Sequence, residues 1–155
     1  MNTDVEAHNR NILVTGAASG IGAALCLRLA RPGTRLFIHT RANRAGADAV
    51  AEAVAAAGGQ GEVMLGDLAD APVAEALIAA VAGHGNLDGL VANAGFADKT
   101  PLADLDDAAL ARSLAAMPGA FHRLCRAAMP MLQAAPAGRV IAVSSFVAHR
   151  FQLDG

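Results

Sequence analysis

Five short runs of apolar, mostly β-branched residues alternate along the chain with longer alanine-rich segments of helical periodicity. This alternation is typical of repeated βα units around a parallel sheet. The first and last runs are continuously apolar, which predicts burial on both faces of the sheet, whereas an antiparallel sandwich fits poorly. The predicted strands are residues 12–15, 36–40, 62–65, 87–92 and 140–143.

Capping signals agree with helical periodicity between the strands. Asp70 is the predicted N-cap of the third helix, and the long fourth crossover has room for two helices. Pro118 and Pro130 fall in that crossover and predict a kink or break. The predicted apolar faces are Ile21, Leu25 and Leu29 in the first helix, Ala47, Val50, Ala51 and Val54 in the second, Val73, Leu77 and Val81 in the third, and Phe121, Leu124, Cys125, Ala128 and Leu132 in the last.

Length and charge exclude several classes of protein. The 155 residues are enough for one domain with a hydrophobic core. A net charge of −2 disfavours nucleic-acid binding through a basic face. Cys26 and Cys125 are too far apart for a redox or zinc motif and are interpreted as buried thiols of a reducing compartment. The five histidines are too scattered to predict a metal site and are interpreted as solvated or capping side chains. The absence of a long apolar segment predicts a cytoplasmic protein without a membrane partner.

The strongest local motif is T-G-A-A-S-G-I-G, residues 15–22, at the turn from the first predicted strand into the first helix. Gly16 permits a tight turn, Gly20 lets a ligand approach the backbone, and Gly22 allows close helix packing. A pyrophosphate there would meet free backbone N–H groups and the positive end of the helix dipole. A glycine-rich turn without a ligand has the same local pattern, so both interpretations stay open at this point.

Residues suited to ligand binding also follow the other four predicted strands. Ligands of open α/β sheets bind beyond the carboxyl ends of the strands, where the strand order reverses. One shared site therefore explains these residues better than five unrelated turns. The candidates are Thr40 and Arg41 after the second strand, Asp67 and Leu68 after the third, Asn93, Ala94 and Gly95 after the fourth, and Ser144 and Ser145 after the fifth.

Taken together, these motifs resemble the short-chain dehydrogenase/reductase family, in its branch with T-G-x-x-x-G-I-G, over almost the whole chain. The resemblance implies an α/β Rossmann-type fold, a doubly wound parallel sheet in three αβα layers with about five strands present. It places the glycine turn under the pyrophosphate of a nicotinamide dinucleotide, Asp67 and Leu68 near the adenine, and residues 93–95 along the adenine ribose. The implied cofactor-binding residues are Gly16, Ser19, Gly20, Ile21, Gly22, Arg41, Asp67, Leu68, Asn93, Ala94 and Gly95.

The end of the second predicted strand indicates which dinucleotide is bound. A carboxylate there would bond the ribose hydroxyls of NAD, whereas an arginine accommodates a 2′-phosphate. The sequence is His39-Thr40-Arg41, without a carboxylate. Arg41, helped by Arg44, offers planar donors that match a phosphate. We therefore predict NADP(H) in preference to NAD(H).

The catalytic residues implied by the resemblance are only partly present. The family transfers a hydride between nicotinamide and a carbonyl or alcohol, with a tyrosine as proton donor, a lysine beside it, and a serine that matches Ser145. The sequence has no tyrosine and one lysine, Lys99, and Ala116 stands where the family often has asparagine. We therefore expect residues 1–155 to be a single dinucleotide-binding domain, the N-terminal part of a longer reductase, without turnover by itself.

Two further expectations accompany this interpretation. The predicted fifth strand would form an unpaired apolar edge of the sheet. Family members often pair subunits through the helix that carries residues 121–132, which implies a homo-oligomer. The alternative function is a dinucleotide-binding or sensing module without catalysis, and the two hypotheses differ in whether a Tyr-x-x-x-Lys helix follows in the natural gene.

Overall fold

A parallel five-stranded sheet forms the centre of the computed structural model, which describes residues 10–97, 99–101 and 103–145. The strands are β1 (Arg10–Val14), β2 (Thr34–Thr40), β3 (Gln60–Leu65), β4 (Gly89–Ala92) and β5 (Arg139–Ala142). Their order is β3-β2-β1-β4-β5, and every neighbouring pair is parallel. The order reverses between β1 and β4, so a crevice is expected at their carboxyl ends.

Helices cover the sheet on both sides and complete a three-layer Rossmann-like α/β fold, which confirms the predicted fold class. Side chains alternate along β2, because successive residues of a strand point to opposite faces. Phe37 packs towards α3 and α5, whereas Leu36 and Ile38 pack towards α1 and α2. The helices are α1 (Gly20–Leu29), α2 (Arg44–Ala56), α3 (Ala71–Ala82), α4 (Asp107–Leu114) and α5 (Ala120–Ala134).

Local sequence accounts for several helix boundaries. The Asn43 side chain accepts a hydrogen bond from the backbone N–H of Gly46 at 3.0 Å and caps α2. Asp106 caps α4 in the same way, through the N–H of Ala109 at 2.7 Å. Asp70 is the N-cap residue of α3, as predicted, although its side chain makes no capping bond.

A single π-helical turn, Ala115–Gly119, joins α4 to α5 and contains Pro118. A proline removes one backbone donor from a helix, and π turns interrupt the regular i to i+4 bonding of an α-helix. The break predicted from the prolines is therefore confirmed at Pro118. Pro130 lies inside α5, whose helical assignment continues to Ala134.

Some predicted burial is wrong. Every residue of β5 is exposed, because this strand lies at the edge of the described sheet. Ile21 is 63% exposed, since α1 packs through Gly22 and Cys26 instead. Phe121 is 38% exposed, and Cys125 is half-buried rather than buried.

No helix within the described ranges is long and apolar enough to cross a bilayer.

Candidate functional site

The glycine turn between β1 and α1 is tightly packed at Gly22 and has open space at Gly20. Gly16 and Gly20 have φ angles of 64° and 55°, a backbone conformation that favours glycine. A Cβ on Gly22 would lie 2.4 Å from the carbonyl oxygen of Gly16, so α1 can pack this closely only without a side chain there. A Cβ on Gly20 would have no atom within 4 Å. A ligand can therefore approach the turn at Gly20.

Hydrogen bonds tie the end of β4 to this turn. The Thr15 hydroxyl accepts from the backbone N–H groups of Asn93 and Ala94, both at 3.0 Å. The Asn93 side-chain Nδ2 donates to the carbonyl oxygens of Thr15 at 3.0 Å and Gly16 at 3.1 Å. Both donors of the Asn93 amide are thus used in holding the glycine turn against β4. Asn93 is therefore a structural part of the crevice wall.

Two adjoining cavities open at the carboxyl edge of the sheet. The first, of about 660 Å³, lies between α5, the π turn and the ends of β4 and β5. The second, of about 270 Å³, lies beside the end of β2 and the start of α1. Because the cavities share part of their walls, one elongated molecule could occupy both. The shared residues are Leu68, Ala94, Gly95, Phe96 and Ala116.

Nearly all of the sequence-predicted site residues lie in the walls of this cavity pair. Gly20 and Gly22 line neither cavity, and Gly22 has the packing function predicted for it. The first cavity is lined by Ile21, Leu68, Asn93, Ala94, Gly95 and Ser145, and the second by Gly16, Ser19, Arg41, Asp67, Leu68, Ala94 and Gly95.

Charge is unevenly divided between the cavities. The described lining of the first contains no Asp, Glu, Lys or Arg, whereas Arg41 and Asp67 line the second. Asp67 Oδ1 accepts from the N–H of Ala69 at 2.9 Å, which stabilises the turn after β3. Arg44 does not line either cavity and instead lies 3.3 Å from Asp48. Arg41 is therefore the cation available to a ligand in the second cavity among its described wall residues.

His39 was missed as a wall residue. It is only 2% exposed and lines the second cavity, so the prediction of a solvated or capping histidine is wrong for it. Its Nε2 lies 3.0 Å from the carbonyl oxygen of Gly66, which makes Nε2 the donor. Burial lowers the pKa of His39 below 6.5, partly opposed by this hydrogen bond and by Asp67. The sequence signal for its burial was its position inside an apolar predicted strand, residues 36–40.

The π turn was also missed as a cavity wall. Met117 and Pro118 line the first cavity. Ala116 lines both cavities. Sequence periodicity does not identify such residues, because a π turn shifts the phase of the helix around them.

No group of three potential metal-ligating side chains occurs within the described residues. His8 and His149, two of the five histidines, lie outside those residues.

The sequence and the fold are similar to those of known proteins. The family model for short chain dehydrogenase matches residues 10–152. A 3-oxoacyl-(acyl-carrier-protein) reductase of Aggregatibacter actinomycetemcomitans is 34% identical over 88% of this chain and 57% of its own length. The chain thus spans little more than half of that curated relative.

Two solved structures of similar proteins contain dinucleotides. A short chain dehydrogenase from Burkholderia cenocepacia in complex with NADP has a TM-score of 0.88 and 31% identity, over 96% of this chain and 60% of that one. An NADH-dependent reductase complexed with NAD has a TM-score of 0.84 and 26% identity, over 92% of this chain and 62% of that one.

Proposed function

The chain belongs to the short-chain dehydrogenase family, and from this premise we propose that it binds a nicotinamide dinucleotide across the two adjoining cavities. The observation that carries the proposal is the wall shared by a larger cavity, whose described lining is uncharged, and a smaller one that contains Arg41. The open approach at Gly20 would admit the pyrophosphate next to the N-terminus of α1. The adenosine half would occupy the second cavity, beside Asp67 and Leu68.

We further propose a preference for NADP(H) over NAD(H). Arg41 follows β2 in the wall of the second cavity, and the residues between β2 and α2 include no carboxylate. The guanidinium offers several donors in one plane, which suits a 2′-phosphate. Because Arg44 is paired with Asp48 on α2, the proposal rests on Arg41 rather than on both arginines.

The reaction class proposed is hydride transfer with a carbonyl or alcohol substrate. The bound dinucleotide would supply or accept the hydride. Ser145 lines the first cavity, where its hydroxyl would hold the reacting oxygen. The proton must come from another group, because the 155 residues contain no tyrosine. We therefore expect these residues to bind the dinucleotide without turnover.

A binding experiment tests this function directly. NADPH and NADH would each be titrated into the purified 155-residue protein, with calorimetry as the readout, and a panel of aldehydes and ketones would then be added to the NADPH complex. We expect saturable binding, tighter for NADPH, and no oxidation of NADPH. Absence of binding would contradict the proposed function, and turnover would contradict the expected inactivity.

The alternative function, a dinucleotide-binding or sensing module, would use the same site and is equally consistent with the absence of tyrosine from the 155 residues. Extension of the protein through a Tyr-x-x-x-Lys helix distinguishes the two, since only the enzyme hypothesis expects turnover to appear. The homo-oligomer and the cytoplasmic location stay predictions.

A further inference from the structure

Arg123, on α5, connects two segments that are distant in sequence. Its Nη2 donates to the carbonyl oxygen of Leu68 at 2.6 Å and to that of Ala115 at 2.8 Å. Leu68 lies in the loop between β3 and α3, whereas Ala115 begins the π turn. One guanidinium group thus holds together a loop and a helix break that share no continuous secondary structure.

Both segments form the wall between the two cavities. Leu68 lines each cavity, and so does Ala116, the neighbour of Ala115. A change in the distance between the Leu68 loop and the π turn would therefore alter the walls of both cavities. Arg123 itself lines neither cavity, and its contact with these walls is through the two backbone carbonyl oxygens that it bonds.

The arrangement includes one feature that is unfavourable for stability. The Arg123 side chain is half-buried, and its Nε is buried without a hydrogen-bond partner among the described residues. A buried donor without a partner costs free energy of folding. Arg126, one turn further along α5, avoids this cost, because it is exposed and forms an ion pair with Glu75 at 2.8 Å.

Resting on the proposed dinucleotide site, we propose that Arg123 is a positioning residue that couples the two cavities. A ligand that fills the second cavity would fix the Leu68 loop, and Arg123 would pass this constraint to the π turn beside the first cavity. The adenosine half of a dinucleotide would then order the wall against which the nicotinamide half binds. Such coupling is energetic linkage between two subsites of one ligand.

Hydrogen exchange in the unmodified protein tests the coupling. The probe is adenosine 2′,5′-bisphosphate, which resembles only the half proposed for the second cavity. The reporters are the amides of Met117, Gly119 and Ala120, which belong to the π turn or follow it and do not line that cavity. We expect the probe to slow their exchange about fivefold or more. Protection confined to residues 66–69 would overturn the proposal.

Substitutions of Arg123 provide the second test. In Arg123→Met, which keeps the aliphatic bulk but no donor, we expect NADPH affinity to fall about tenfold and the affinity for adenosine 2′,5′-bisphosphate to change less than about threefold. Arg123→Lys should lose less than Arg123→Met, because its ammonium still has donors for one of the two carbonyl oxygens, although it is poorly shaped to bond both. A merely structural role predicts equal losses for the two ligands, which would overturn the proposal.

The design separates this proposal from the function on which it rests. Arg126→Met removes an exposed arginine of the same helix and should leave both affinities unchanged. If Arg123→Met does not fold, the ratio of the two affinities in Arg123→Lys decides. If the unmodified protein binds neither ligand, the proposed function fails and the coupling with it. If it binds both but the π-turn amides do not respond, only the coupling fails.

Discussion

The side-chain Nδ2 of Asn93 lies 3.0 Å from the carbonyl oxygen of Thr15. The two residues directly follow β4 and β1, the strands between which the sheet order reverses. The bond therefore joins the ends of the two strands at the place where a ligand of such a sheet is expected. A similar arrangement exists at the opposite edge, where Asn11 Nδ2 donates to the carbonyl oxygens of His84 at 3.1 Å and Asn86 at 2.7 Å.

Asn93→Ala should reduce both stability and dinucleotide binding. The substitution leaves the carbonyl oxygens of Thr15 and Gly16 without their side-chain donor, which costs about 1–3 kcal/mol of unfolding free energy. The glycine turn is then less well fixed, so NADPH affinity should fall as well. Urea unfolding and calorimetric titration measure the two effects.

Asn11→Ala is the matched control for Asn93→Ala. It also removes a side-chain amide that bonds two carbonyl oxygens, but at the edge of the sheet away from the cavities. We expect a similar loss of stability and unchanged NADPH affinity. An equal loss of affinity in both variants would show that Asn93 acts through general stability and would refute its specific role in the turn.

The glycines of the turn should respond differently to alanine. In Gly22→Ala the new Cβ would lie 2.4 Å from a backbone oxygen, so α1 or the turn must move and the protein should be severely destabilised. In Gly20→Ala there is open space, and the cost comes from a φ of 55°, about 1–2 kcal/mol. Thermal unfolding of the two variants checks the order, and a Gly22→Ala protein as stable as Gly20→Ala would contradict it.

Gly20→Ala should nevertheless weaken NADPH binding more than its stability loss suggests, because its Cβ would occupy the open approach to the turn. Titration at a temperature where the variant is fully folded isolates this effect. Unchanged affinity would mean that the ligand does not approach the turn at Gly20.

Periodicity and strand-end chemistry predicted the layers and the five strands, and nearly all of the predicted site residues line the cavities, because these features follow from local pattern and from the geometry of parallel sheets. The packing face of α1 was wrong at Ile21 for a physical reason. Large apolar residues define a predicted stripe, but this helix approaches the sheet through Gly22, where no side chain intervenes. The contacts of Arg123 could not be predicted, since they join carbonyl groups 55 and 8 positions away.

His39 should make stability depend on pH. Burial lowers its pKa in the folded protein from 6.5, so near that pH the unfolded chain binds a proton that the folded protein does not. The unfolding free energy should be greatest above about pH 6.5 and decrease as the pH falls towards the lowered pKa. Urea unfolding between about pH 5 and 8 should show a shallower decrease in His39→Gln.

The control for His39→Gln is His122→Gln, which changes an exposed histidine on α5. It should keep the pH dependence of the unmodified protein. Identical slopes in all three proteins would mean that His39 does not carry the effect.

Arg41→Ala should reduce the preference for NADPH over NADH. The guanidinium is proposed to bond the 2′-phosphate, and a hydrogen bond between charged groups is worth enough to change the ratio of the two affinities about tenfold or more. NADH lacks that phosphate, so its affinity should change little.

Arg44→Ala is the matched control, because Arg44 is also exposed and near the end of β2 but pairs with Asp48 at 3.3 Å. Since the phosphate interaction is electrostatic, the NADPH advantage should also shrink as salt rises in the unmodified protein and in Arg44→Ala, but not in Arg41→Ala. An unchanged affinity ratio in Arg41→Ala would refute the proposed basis of cofactor preference.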